Sequence, residues 1–190
     1  MTALAQSIVR SRGSARLAVD AGLILAGSLL VAALAQPEIH LTPNVPVTGQ
    51  TLGVLLVGAT LGSVRGGLSM LLYLAEGAIG LPFFAGGESG VPGLAFATGG
   101  YLWGFVAAAV VVGFLAERRW DRTLPGAIAA MFVGEVIIFA IGVPWLAQAV
   151  DLSADDALAF GLYPFIVGDV IKLLLAAGAL PAAWRLLGKR

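Results

Sequence analysis

The chain has 190 residues, 59% of them hydrophobic and 12% charged, with a mean hydropathy of +0.96. Soluble domains carry about 25% charged residues, so this balance points to a bilayer and away from nucleic-acid partners. Eleven basic residues offset eleven acidic ones, and with no cysteine and a single His40, disulfides, thiolate chemistry and histidine-rich metal sites are excluded.

A helical crossing needs roughly 20 apolar residues. On that scale six segments are predicted in chain order: 17–36, 47–64, 67–84, 94–116, 123–150 and 158–184. The first follows Arg10, Arg12 and Arg16 and carries Asp20, which is expected to reach Arg16 or water. Basic residues ahead of an apolar run ending in "ALAQ" (33–36) also resemble a cleavable secretory signal. The near-full length of the run and Asp20 within it argue against cleavage. The second and third segments are short and nearly fused, with "SVRGG" (63–67) between them. "QPEIHLTPNVPVTG" (36–49) and "LPFFAGGESGVPG" (81–93) carry enough Pro and Gly to read as irregular connections.

Ten of the eleven Lys and Arg residues precede the first segment, follow the sixth, or lie between segments two and three or four and five. With six crossings these places share one side, which the positive-inside rule makes cytoplasmic, together with both termini. The other connections carry only acids: Glu38, Glu88, Asp151, Asp155 and Asp156. The expectation is an all-α integral membrane protein, one domain over 1–190, built as a six-helix bundle.

Small residues recur every fourth position: Ala18, Gly22 and Ala26; Gly58, Gly62 and Gly66; Gly100, Gly104 and Ala108. Such stripes let helices approach closely in lipid. Each serves either packing inside the bundle or, for the first, docking of another membrane subunit.

The eleventh basic residue is Lys172, one helical turn from Asp169 in the apolar run "PFIVGDVIKLLLAAG" (164–178). Residues three apart share a helix face. Charges at bilayer depth cost several kcal/mol unless paired or wetted. One reading is an ion pair that staples the helix. The other is a polar anchor in a ligand cavity, the carboxylate accepting N–H donors and the ammonium donating to an oxygen. The pair suits a small planar solute with N–H and C=O groups side by side, as in a urea or amide. Glu76 and Glu135 are expected to make hydrogen bonds inside the bundle rather than to touch a ligand, Glu135 either accepting from a neighbouring Tyr, Trp or Lys172 or sitting protonated. Gly86 and Gly87 lie in a glycine-rich stretch whose backbone N–H groups could face an anion. Phe83, Phe84, Tyr101 and Trp103 either line a cavity or form an interfacial belt.

These residues together resemble BioY, the biotin-specific S component of energy-coupling factor (ECF) transporters, over nearly the whole chain. "VPVTGQTLGVLLVGATLGSVRG" (45–66), "GAIGLPFFAGG" (77–87), "TGGYLWGF" (98–105), "GEVIIFAIGVPWL" (134–146) and "PFIVGDVIK" (164–172) carry the likeness. Ala97 departs from it, where the family commonly has Pro. The resemblance implies a ligand cavity toward the outer side of a bacterial cytoplasmic membrane, biotin as the transported ligand, and no cofactor or catalysis. It implies that Asp169 accepts ureido N–H groups and Lys172 donates to a ligand oxygen. Phe83, Phe84, Tyr101 and Trp103 would wall the ring and chain, and N–H groups near Gly86 and Gly87 would help hold the carboxylate. It also implies a transmembrane coupling subunit, met by Ala18, Gly22 and Ala26, and a pair of ABC-type ATPases. The chain has no G-x-x-x-x-G-K-[ST] phosphate loop of its own. The alternative is a solitary biotin facilitator working without ATPases, with oligomerisation making up for its short length.

Overall fold

The computed structural model describes residues 3–5 and 14–187. Arg10, Arg12, Lys189 and Arg190, which contribute to the expected charge asymmetry, lie outside the described residues. The first long helix, α1, runs Ser14–Ala35. A two-residue antiparallel pair follows, β1 (Glu38–Ile39) with β2 (Val47–Thr48), in register Glu38 to Thr48. Then come α2 (Gln50–Leu61), α3 (Ser63–Ala78), a tight turn at Ala85–Gly87 and the short α4 (Val91–Ala95). The chain continues through α5 (Gly99–Glu117), a turn at Trp120–Arg122, α6 (Leu124–Ala149), α7 (Ala154–Gly161) and α8 (Ile166–Leu186).

Among the described residues four helices are long and apolar enough to cross a membrane: α1, α5, α6 and α8. The expected segments 47–64 and 67–84 are shorter than foreseen, at 12 and 16 residues. Gly62, at φ +86°, breaks the chain between them, a backbone conformation that glycine adopts without steric cost. The expected 158–184 is split as well. Pro164 disfavours helical backbone in the residue before it, so α7 ends at Gly161 and α8 begins at Ile166. The connections are also more ordered than their Pro and Gly content suggests, since they hold the β pair and α4.

Helix starts follow local chemistry. The Thr123 side chain caps α6 by accepting from the Gly126 N–H, and Pro125 occupies its first turn. Ser153 caps α7 through the Asp156 N–H, and Asp155 and Asp156 lie in the positive first turn of that helix.

Glycine decides the closest contacts. A Cβ on Gly58 would lie 2.7 Å from the Ala109 carbonyl oxygen, and one on Gly66 only 2.9 Å from the Gly58 Cα, so α2, α3 and α5 meet backbone to backbone. On α5, a Cβ at Gly104 would lie 3.1 Å from the Ile138 Cα of α6. These two stripes pack the bundle. The α1 stripe does not: Ala18, Gly22 and Ala26 are exposed, and none of the described residues stands within 4 Å of a Cβ built on Gly22.

Polar contacts tie together one end of the bundle. Asp20 of α1 pairs with Arg65 of α3 at 2.6 Å, and Arg16 is more distant at 3.9 Å; the expected Arg16 partner is thus secondary to Arg65. Glu117 at the end of α5 accepts from the Ser63 N–H at 2.9 Å. Trp184 of α8 donates its indole N–H to Asp121, and the Arg122 guanidinium lies over the Trp184 ring. The described arginines Arg16, Arg65, Arg118, Arg119, Arg122 and Arg185 therefore belong to the segments gathered at this end. Within the bundle, Ser28 of α1 donates to Glu76 of α3 at 2.6 Å, the internal hydrogen bond expected for that glutamate.

Candidate ligand cavity

At the opposite end, the first turns of α2, α5 and α8 converge with the two connections 36–49 and 79–98. They enclose a cavity of about 640 Å³, lined by Thr48, Gln50, Thr51, Phe84, Gly86, Tyr101, Phe139, Phe165, Asp169 and Lys172 among others. That volume lies in the range of small-molecule sites, whose walls are mostly apolar with a few placed polar groups.

The acid and base predicted from sequence meet in this cavity. Lys172 Nζ donates to Asp169 Oδ1 at 2.8 Å, and their side chains are 15% and 6% exposed. Thr51 of α2 joins them, its Oγ1 donating to Asp169 Oδ1 at 3.1 Å and accepting from Lys172 Nζ at 3.3 Å. Among the described residues, Asp169 Oδ2 has no hydrogen-bond partner, nor does either carboxylate oxygen of the buried Glu135. Glu135 is within electrostatic reach of Asp169 and Lys172. The internal hydrogen bond expected for Glu135 is not found among the described residues.

Aromatic residues form the apolar wall. Tyr101 lies edge-on to Phe139 at 6.1 Å between ring centroids, and Phe139 is tilted against Phe165 at 6.2 Å. The Tyr101 hydroxyl donates to the Gly161 carbonyl at 2.8 Å, which ties α5 to the end of α7. Phe84 meets Tyr73 edge-on at 5.7 Å and fills the space left by the absent side chains of Gly77 and Gly93.

The other expected site residues are placed differently. Phe83 does not line the cavity; its carbonyl accepts from the Tyr73 hydroxyl at 3.2 Å while its ring packs against the core. Gly87 is off the lining too, and its N–H donates to the Phe84 carbonyl. Gly86 does line the cavity, at φ +62°, but the Glu38 carboxylate packs against it where a Cβ would project. Trp103 is 43% exposed on the outer face of α5, as an interfacial residue would be. Helix phase explains this, since Tyr101 and Phe105 point inward and Trp103 lies between them.

Sequence reading missed Thr51, Gln50, Phe139, Phe165 and Glu38. The first two stand in "VTGQT", where uncharged polar groups give no hydropathy signal. The phenylalanines are indistinguishable by composition from lipid-facing ones.

The family model described as "BioY family" matches residues 6–189. A biotin transporter BioY of Rhodobacter capsulatus is 40% identical over 161 residues, covering 80% of this chain and 85% of that protein. Its counterpart in Rhizobium etli is 39% identical over 140 residues, 70% of this chain and 74% of that protein. A crystal structure of the S component for biotin from an ECF-type ABC transporter superposes with a TM-score of 0.81 at 23% identity, covering 95% and 96% of the two chains. Those relatives are transporters, not enzymes. A family match that takes in all but the two ends, with relatives this close over most of their own length, makes this membrane chain a member of the BioY family.

Proposed function

We propose that this chain, as a single domain, captures biotin from the outer side of a bacterial cytoplasmic membrane and serves as the substrate-binding subunit of an ECF-type transporter. The observation that carries the reading is the Asp169–Lys172–Thr51 cluster set in an aromatic-walled cavity. The ureido ring of biotin offers N–H donors to an acid that has an unpartnered oxygen, and a carbonyl to an ammonium with donor capacity left. Its ring and chain suit Tyr101, Phe139, Phe165 and Phe84. The two relatives above are named as biotin transporters, which supports the same ligand.

Charge supports this membrane placement. Helices α2 and α3, folded back at Gly62, complete six crossings with the four longer helices. The arginine-rich end faces the cytoplasm and the cavity faces outward. Coupling to a transmembrane subunit and its ATPases is supported by the outward-facing Ala18, Gly22 and Ala26, an exposed smooth strip on which a Cβ at Gly22 would meet none of the described residues within 4 Å.

Equilibrium binding to the purified protein tests the ligand: biotin binds, riboflavin and thiamine do not, and Asp169→Asn and Lys172→Ala each weaken biotin by at least about tenfold. Unchanged biotin binding in both variants removes the assigned site. Uptake in a host lacking every coupling subunit tests the motor, and full uptake there supports the solitary facilitator instead. Gly22→Leu tests the strip, with co-purification of the coupling subunit lost while biotin binding persists.

A further inference from the structure

We infer that Thr51 is the positioning residue of the pair: its hydroxyl holds Asp169 and Lys172 in the one orientation that presents both to the cavity. The inference rests on the biotin reading above and assigns a role to a residue outside the two charges.

A threonine hydroxyl has one proton and two lone pairs. Here the proton goes to Asp169 Oδ1 at 3.1 Å and a lone pair takes a Lys172 Nζ proton at 3.3 Å, so one group on α2 closes a ring with two groups on α8. The Asp169–Lys172 contact spans only one turn of one helix and so fixes the side chains relative to each other, not relative to the cavity. The bond across to a second helix supplies that reference. It also uses Asp169 Oδ1 twice, while Oδ2 is buried and without a partner among the described residues.

Thr51 is itself on a fixed base. It sits in the first turn of α2, where the Gln50 N–H donates to Thr48 Oγ1 at 3.2 Å. Gln50 Nε2 donates to the buried Tyr73 hydroxyl at 2.6 Å, anchoring this turn to α3. Hydrogen bonds on both sides of Thr51, to α3 through its neighbour Gln50 and to α8 through its own hydroxyl, limit how that hydroxyl can re-pair.

The test is a set of biotin-binding measurements on Thr51→Val, Thr51→Ser, Asp169→Asn and the Thr51→Val/Asp169→Asn double variant. Thr51→Val keeps the shape and removes the hydroxyl. It is expected to weaken binding at least about tenfold, Thr51→Ser to stay within about threefold, and Thr51→Val to add less than about twofold on the Asp169→Asn background. Losses that add in full across the double variant overturn the inference, because they mean direct ligand contact by Thr51; so does a Thr51→Val protein that binds as wild type.

A ligand-free readout keeps this separate from the ligand assignment. The sequence has two lysines, Lys172 and Lys189, so ¹⁵N-lysine labelling gives two ammonium resonances, assigned with Lys189→Arg. A slowly exchanging Lys172 signal is expected in wild type and Thr51→Ser and lost in Thr51→Val, with Thr51→Ala substituted should the valine variant not fold. Wild-type protein indifferent to biotin overturns the function proposed above, whereas a Lys172 signal unchanged in Thr51→Val overturns the role of Thr51.

Discussion

Lys172→Met cuts the 2.8 Å ion pair and leaves the Asp169 carboxylate, 6% exposed, with the Thr51 hydroxyl as its one side-chain donor among the described residues. Coulomb attraction at that separation is about 6 kcal/mol at an effective dielectric of about 20. The cost of taking the two charges out of water is of similar size, several kcal/mol per ion. Deleting one partner removes the attraction but keeps the desolvation of the other, so the single variant is expected to lose about 3–5 kcal/mol. The double variant Asp169→Leu/Lys172→Met removes both terms and is expected to match wild type or exceed it by about 1–4 kcal/mol. For a chain of this length about 2–4 °C accompanies each kcal/mol, so the single variant melts roughly 6–20 °C lower and the double one does not. Unfolding in detergent micelles, followed by the fluorescence of the four tryptophans, reads the difference directly. A single variant that melts with wild type, or a double variant less stable than the single, refutes the reasoning. Biotin binding decides why the pair is kept: a stable double variant that no longer binds marks it as a ligand anchor, and one that still binds marks it as a staple.

Three further outcomes are expected. Tyr101→Phe strands the buried Gly161 carbonyl and should cost about 1–3 kcal/mol, seen as a melting temperature lower by a few degrees; no change means the bond across α5 and α7 carries no stability. Gly58→Ala pushes a methyl group into the Ala109 backbone and should cost about 1–3 kcal/mol, whereas Gly22→Ala meets open space and should leave the melting temperature where it was; equal effects would undo the division between inner and outer stripes. Burial in the turn after α5 holds the Asp121 carboxyl above its ordinary range, with the Trp184 N–H and Arg122 opposing it less strongly. The native state therefore binds that proton more tightly than the unfolded chain. Its stabilisation is present below the ordinary carboxylate range and is lost as pH rises through the raised value. Asp121→Asn should flatten this part of the melting-temperature profile, on the side above the ordinary carboxylate range, and an unchanged profile assigns the dependence to another group.

Much of the architecture was legible in one dimension because lipid imposes a simple rule: long apolar runs become helices, and cations collect at one end. The charged pair was equally readable, since Asp169 and Lys172 share a helix face through 3.6-residue periodicity alone. Two kinds of information were not local. Trp103 and Tyr101 are both aromatic and two residues apart, and only the phase of α5 against α6 puts one outside and the other in the cavity. Thr51 is 118 positions from Asp169, and an uncharged hydroxyl leaves no mark on hydropathy until α2 lies beside α8. The small-residue stripes show the same division. Their four-residue spacing tells that something approaches closely, but tertiary packing alone decides that Gly58 and Gly104 meet this chain's own helices while Gly22 meets none of the described residues. Periodicity and charge fix what each helix is, because they act within a few residues. Which faces meet depends on backbone approach and side-chain fit between segments far apart in the chain, and that is a property of the assembled bundle.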